Sequence, residues 1–304
     1  MTLSPDVVVV GDALLDVTAH PAGPIRAGAD ARAEVHIGCG GQGANLAVRL
    51  ARQGVAVELV CALGDDPGGA FVRQALIGEG VELSAVRTDA TGTVVILVDQ
   101  QGERTMLSQR VSFAGGAAAA VRGDVPWLVV SGYLLLEPDA GQLVSALRAM
   151  PASRALVGCT VPAEMADEWA RAATAVRPDL VILNRDEALA LLPASQDTND
   201  LPARLGERIR SSVVVTDPSG AMARLNGLSA AVRAPVALPA SDTTGAGDAF
   251  GAALIASLLR SPWPPAADAL ENALTAATEL ASAVAHANGA QARVAGEPGA
   301  RLRP

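Results

Sequence analysis

Hydrophobic positions along the chain follow two patterns. The first is a short, unbroken apolar run. It occurs at Val7–Val10, which is four consecutive valines, and again, with Glu58 as an interruption, at 57–62, and at Trp127–Ser131, 155–158, 180–183 and 213–216. Runs of this length, rich in Val, Leu and Ile, predict strands buried on both faces, as in a parallel sheet. Between them apolar residues recur at helical spacing, as in Ala44, Val48 and Ala51, or Phe71 and Ala75. Alternating strands and helices predict an α/β fold: a three-layer αβα sandwich around a mostly parallel central sheet.

The second pattern is strict alternation. Ala33, Val35 and Ile37 alternate with Arg32, Glu34 and His36. Thr93–Val98 and 104–107 flank a polar turn at 99–102 and predict a hairpin. Alternation means one wet face, hence antiparallel strands. These stretches predict a small β lid built from two insertions, about 13–38 and 88–112, within a single domain spanning 1–304. Edge strands of the main sheet are the competing placement. Ala114–Ala120 predicts a loop entering a short helix, 195–200 a turn, and 296–304 a frayed tail.

Composition narrows the function. Half the residues are hydrophobic and 18% are charged, which excludes intrinsic disorder. No apolar run approaches the roughly 18 residues of a membrane span. The first residues carry Asp6 and Asp12 and no basic stretch, so a signal peptide is not expected and a cytoplasmic location is. The 23 basic residues are all Arg, against 32 acidic ones, for a net charge of −9. That balance disfavours a nucleic-acid partner. It also leaves phosphate binding to Arg, backbone N–H groups or a metal. Cys39, Cys61 and Cys159 are odd in number and widely spaced, as expected of small buried thiols. His20, His36 and His286 lack metal-ligand spacing, and 2% aromatics supply few stacking platforms.

The strongest chemical signal is DTTGAGD at 242–248, followed by a pattern that predicts an amphipathic helix with Phe250, Leu254 and Leu258 one turn apart. Small residues at a helix start leave backbone N–H groups open, and the helix dipole adds to their attraction for an anion. Asp248 falls in the first turn, where that field is expected to keep it ionised. A carboxylate beside an anion hole can take a proton from a hydroxyl while the hole holds a phosphoryl group. The plain alternative is a glycine-rich helix entry with one N-terminal charge.

With this motif the chain resembles the ribokinase-like (PfkB) carbohydrate kinase family. Further matching segments are GDALLD (11–16), GGQGAN (40–45), LGDDPGG (63–69) and NRDE (184–187), in family order, followed by NGAQ (288–291). The resemblance implies an ATP-dependent kinase acting on a hydroxyl, a primary one, of a sugar. It implies Asp248 as the base and the amides of Gly245, Ala246 and Gly247 as the anion hole. Asp16, Gly40, Gly41 and Asn45 would bind substrate, with Arg110 facing any substrate anion. Asn184, Thr216, Gly220 and Thr278 would meet the nucleotide. Glu187 would act on Mg2+ through water, and Asp242, Thr244 and Gly289 would lie where many members hold a monovalent cation such as K+. The alternating strands would close over the sugar and, in many members, pair two copies into a homodimer.

Plainer readings stand beside these. Asn45 could cap its helix, and Asn184 with Glu187 has the spacing of a capping box. Arg104 and Arg110 could be surface residues of a wet strand. The chain also departs from the family. TDPSG (216–220) is a residue short of the usual phosphate loop and carries Pro218, which lacks an N–H. Gln42 stands where ribokinases have Lys, and Thr278 where ribokinase has a purine-contacting Asn. A nucleoside kinase (adenosine-like or pseudouridine-like) and a non-catalytic sugar-binding regulator are the alternatives. GCGGQG (38–43) also satisfies a dinucleotide-binding pattern, but its preceding strand alternates, whereas that fold needs a buried parallel strand there.

Overall fold

The computed structural model describes residues 4–101, 103–193, 200–235, 244–287, 290–294 and 297. The strands are β1 (Val7–Val10), β2 (Leu14–Pro21), β3 (Ala33–Gly40), β4 (Val57–Gly64), β5 (Glu82–Thr88), β6 (Thr93–Val98), β7 (Arg104–Gln109), β8 (Trp127–Ser131), β9 (Ser153–Val157), β10 (Leu180–Asn184), β11 (Ser212–Asp217), β12 (Gly220–Leu225) and β13 (Leu228–Arg233). The helices are α1 (Gln42–Arg52), α2 (Pro67–Gly78), α3 (Ala114–Ala120), α4 (Ala140–Ala149), α5 (Ala166–Val176), α6 (Arg185–Ala190), α7 (Leu201–Ile209), α8 (Ala246–Leu258) and α9 (Ala267–Ala285).

Nine strands form the large sheet in the order β13-β12-β11-β10-β9-β8-β1-β4-β5. All neighbours from β11 through β5 are parallel, and β12 and β13 complete it as an antiparallel hairpin. The valines of β1 show why these runs are unbroken. Val7 and Val9 pack among α1, α2, α8 and α9, while Val8 and Val10 pack among α3 to α7. Both faces of each central strand are dry, so polar residues are nearly absent from the runs; the charged exception is Glu58 in β4, which is buried and paired with Arg122 at 3.1 Å. β5, β12 and β13 have no such run, because each has wet positions.

The second sheet has the order β3-β2-β6-β7. β2 and β3 pair antiparallel, as do β6 and β7, but β2 and β6 run parallel, so this sheet is mixed. The predicted hairpin is β6 and β7. The stretch expected as the second insertion, from about 88, follows directly on β5 of the large sheet, which ends at Thr88. Three other expectations change. Ala114–Ala120 is helical throughout. The helix after DTTGAGD is not amphipathic, since α8 is buried on almost every side between α1 and α9. The tail is not all frayed: Glu297 is buried against Arg49. Residues 195–199 of the expected turn lie outside the described residues, and Asp200 caps α7 by accepting from the Ala203 N–H. The LGDDPGG segment is likewise structural: Asp66 caps α2 at the Gly69 N–H and accepts from the Thr91 N–H, which draws its carboxyl below the ordinary range.

Candidate active site

The parallel strands end on one side of the large sheet. There β1, β8, β9, β10 and β11 deliver Asp12, Ser131, Gly158, Asn184 and Thr216. β1 lies between β4 and β8, where the strand order reverses direction, and open α/β sheets form their ligand crevices at such a point. Two hollows occupy it. A recess of about 120 Å³ is lined by Gly158, Asn184, Glu187, Thr216, Gly247 and Asp248. A cleft of about 280 Å³ is lined by Asp12, Leu14, Arg110, Phe113, Ser131 and Tyr133. Gln42 divides them: it donates to the Gly158 carbonyl at 2.7 Å and accepts from the Ser131 hydroxyl at 2.6 Å.

α8 opens into the recess. Gly245 precedes it with φ +77°, and its helix start carries no side-chain cap. The first N–H groups therefore face the recess with the positive end of the helix dipole. Asp248 lies in that first turn, and its Oδ2 accepts from Asn45 Nδ2 at 2.8 Å. Burial raises its carboxyl to about 7. The Asn45 hydrogen bond opposes this, Asp12 and Glu187 add to it, and Arg49 subtracts. Burial thus works against the helix field that is expected to keep Asp248 ionised. Asn45 is held in turn, its Oδ1 accepting from Gln291 Nε2 at 3.0 Å.

In the cleft, Arg110 donates to Asp12 Oδ2 at 3.1 Å and lies over the Tyr133 ring, 4.0 Å from its centroid. Glu137 accepts from the backbone N–H groups of Phe113 and Ala114 at 2.8 and 2.7 Å, capping α3. Asp16 on β2 sits beside Gly40, its carboxyl raised to about 6 by burial and by Asp12. Burial also pushes the thiols of Cys39, Cys61 and Cys159 up to about 12, so all three are inert.

A family profile described as pfkB family carbohydrate kinase matches residues 4–295. The chain belongs to that family. As a carbohydrate kinase it is a phosphotransferase. It is 31% identical to a Klebsiella pneumoniae protein named fructokinase, over 93% of this chain and 94% of the relative. In structure it is similar to a Xylella fastidiosa fructokinase with bound ATP (TM-score 0.79, 20% identity, 95% of this chain and 94% of that one). It is also similar to a Sinorhizobium meliloti adenosine kinase (TM-score 0.78, 20% identity, 96% and 97%). The fold is therefore the ribokinase-like one.

Within this carbohydrate kinase, Asp248, Gly245, Ala246, Gly247, Asn45, Asn184, Thr216 and Glu187 come together around the recess or its mouth. Gly41 is the residue before α1, and Asn45 lies beyond the capping position, so it is no cap. The capping box of Asn184 and Glu187 is present in both directions at 2.9 Å, and burial raises the Glu187 carboxyl. Arg110 is half-exposed and paired to Asp12 across the cleft. Two of the expected nucleotide residues also have structural parts. Thr278 is buried in α9 and gives its hydroxyl to the Leu274 carbonyl. Gly220 (φ +146°) is required by the sheet itself, because a Cβ there would collide with the Val232 carbonyl. Asp242 and Gly289 lie outside the described residues, and Thr244 leads into Gly245. Asp12, Gln42, Ser131, Tyr133 and Gln291 also line or brace the two hollows, and none was given a site role from the sequence. Asp12, Gln42 and Gln291 stand inside GDALLD, GGQGAN and NGAQ, whereas Ser131 and Tyr133 had only their place after a buried strand to mark them.

Proposed function

We propose that this carbohydrate kinase transfers the γ-phosphoryl group of ATP to a primary hydroxyl of a sugar, with fructose the first substrate to test. The observation that carries this is Asp248 in the open first turn of α8, held by Asn45 beside the cleft. The sugar hydroxyl would point at Asp248 from the cleft, and the triphosphate would lie along the recess by Asn184 and Thr216. The hydroxyl oxygen forms a bond to the γ-phosphorus as the bond to the bridging oxygen of ADP breaks. The hydroxyl proton passes to Asp248, and the amides of Gly245, Ala246 and Gly247 take up charge on the moving group. Asp16, Gly40, Gly41 and Asn45 line the sugar's path, and Arg110 faces any substrate anion. The second sheet closes as a lid that keeps water from competing.

Among the described residues no three acidic, His or Cys side chains converge into a metal cage. Glu187 at the recess fits a Mg2+ ion carried mainly by phosphate oxygens and water. When bound, that ion neutralises phosphate charge. A site for K+ would need Asp242 and Gly289. No helix among the described residues is long and apolar enough to cross a membrane; it is the proposed use of ATP that favours a cytoplasmic location.

ADP release over a panel of sugars, sugar acids and nucleosides tests the reading. Fructose or a close relative is expected to give the highest kcat/KM. Turnover with nucleosides alone would make the chain a nucleoside kinase. Silence throughout, with sugar-dependent rises in Tm retained, would make it a sugar-binding regulator.

The lid also bears on assembly. Val17, Ala19, Val35, Ile37, Val95, Leu97 and Leu107 share one of its faces by register, and Val35, Ile37 and Leu107 are 55–60% exposed. Strands β3 and β7 are both unpaired edges. A second copy of the chain is the proposed cover for this face. Sedimentation at micromolar concentration is expected to show a dimer that Ile37→Lys splits. A wild-type monomer would contradict it.

A further inference from the structure

The face of α1 that carries Asn45 also carries Arg49 and Arg52, at spacings of four and three that put all three on one stripe. None of the three points to solvent. Arg49 donates to the Ala290 carbonyl at 2.7 Å and to Glu297 at 2.6 Å, and Arg52 donates to the Gln291 carbonyl at 2.8 Å. Glu79 braces the outer end, accepting from Arg52 at 2.9 Å and from Arg293 at 3.0 Å. Two arginines of one helix thus grip consecutive backbone carbonyls of the segment 290–294. That segment touches the site twice. Ala290 packs against Gly245, where a Cβ would lie 2.7 Å from the Ala290 Cα. Gln291 donates its side-chain amide to Asn45.

A carboxylate only accepts hydrogen bonds, whereas a side-chain amide has one donating and one accepting end. Asn45 serves Asp248 only when its NH2 end faces Asp248, and its oxygen must then face away. Gln291 supplies a donor where that oxygen lies. We propose that Gln291 is a positioning residue for phosphoryl transfer: clamped by Arg49 and Arg52, it sets which end of Asn45 faces Asp248. This rests on the reading of Asp248 as the base. The other charged groups that act on Asp248 are Asp12 after β1, Glu187 on α6 and Arg49 on α1, and the test below leaves all three in place.

The experiment compares wild type, Gln291→Glu, Gln291→Met and Asp248→Asn, measuring kcat/KM for the sugar from pH 5 to 9 at saturating ATP, together with KM for ATP. Gln291→Glu keeps size and reverses polarity. Its carboxylate accepts from Asn45, so the amide turns and its oxygen faces Asp248, an acceptor against an acceptor. The acid limb is expected to move up by about one pH unit, or about tenfold in kcat/KM on that limb, with KM for ATP unchanged. Gln291→Met carries no charge, so a smaller shift in the same direction isolates the lost donor from any Coulomb effect. A wild-type acid limb in both variants, with Asp248→Asn inactive, overturns the role of Gln291 and leaves the base in place. Full activity of Asp248→Asn would overturn both.

Discussion

Asp248→Asn is expected to lower kcat by about 100-fold or more while leaving ATP affinity nearly unchanged. The substitution is close to isosteric, and the new amide oxygen can still accept from Asn45 Nδ2, so the geometry of the α8 start should survive. What is lost is the acceptor for the hydroxyl proton. The same variant is expected to melt at a higher temperature than wild type at pH 8, and the sign follows from burial. The Asp248 carboxyl rises from an ordinary 3.8 to about 7 in the fold. The folded state therefore holds the proton more tightly than the unfolded chain. Stability from this group is complete below pH 3.8 and is lost as pH rises to about 7. Above that the fold carries a charge its surroundings disfavour, and a neutral amide removes the burden. Reduced turnover with raised Tm separates a functional carboxylate from a structural one. Reduced turnover with a lowered Tm would mean that the variant is simply damaged.

The largest stability effect is expected at the far end of the chain. Arg49 is fully buried and Glu297 nearly so, with 2.6 Å between them and Arg52 3.7 Å from the same carboxyl. Among the described residues, Glu297→Ala leaves Arg49 in the interior with the Ala290 carbonyl as its one side-chain partner. Stranding one member of a buried ion pair costs about 3–5 kcal/mol. Urea unfolding is expected to show that loss as a lower midpoint at an unchanged slope. Replacing both partners by apolar residues, Arg49→Met with Glu297→Leu, should recover most of it, because no charge is then left unpaired. The double variant would still release Ala290, so its activity should fall further than its stability. A loss below about 1 kcal/mol in Glu297→Ala would show that the pair is not the anchor described above.

The central strands were legible because each is buried on both faces, which removes polar residues from the run. β5, β12 and β13 were not, since wet positions break their pattern with Glu, Ser and Arg. The β6–β7 hairpin showed itself through its turn, and the Asn184–Glu187 capping box through its spacing of three. Asp248 was found because the groups that define its place are adjacent in sequence. Its partners were not, because they are brought in by folding: Asn45 lies 203 residues away, and Arg49 lies 248 residues from Glu297. The helix field at Asp248 is a local property visible in DTTGAGD, whereas the burial that opposes it is a property of the assembled layers. Arg49 and Arg52 did leave a trace, as two charges on a helix that otherwise buries its length, but their partners were not visible from α1 alone.

The pH dependence of kcat/KM for the sugar, measured in wild type at saturating ATP, tests most directly whether Asp248 accepts the hydroxyl proton. The group must be ionised to do so, and activity should therefore fall with decreasing pH through a single acid limb near 7. A profile that stays flat down to pH 5 would contradict it.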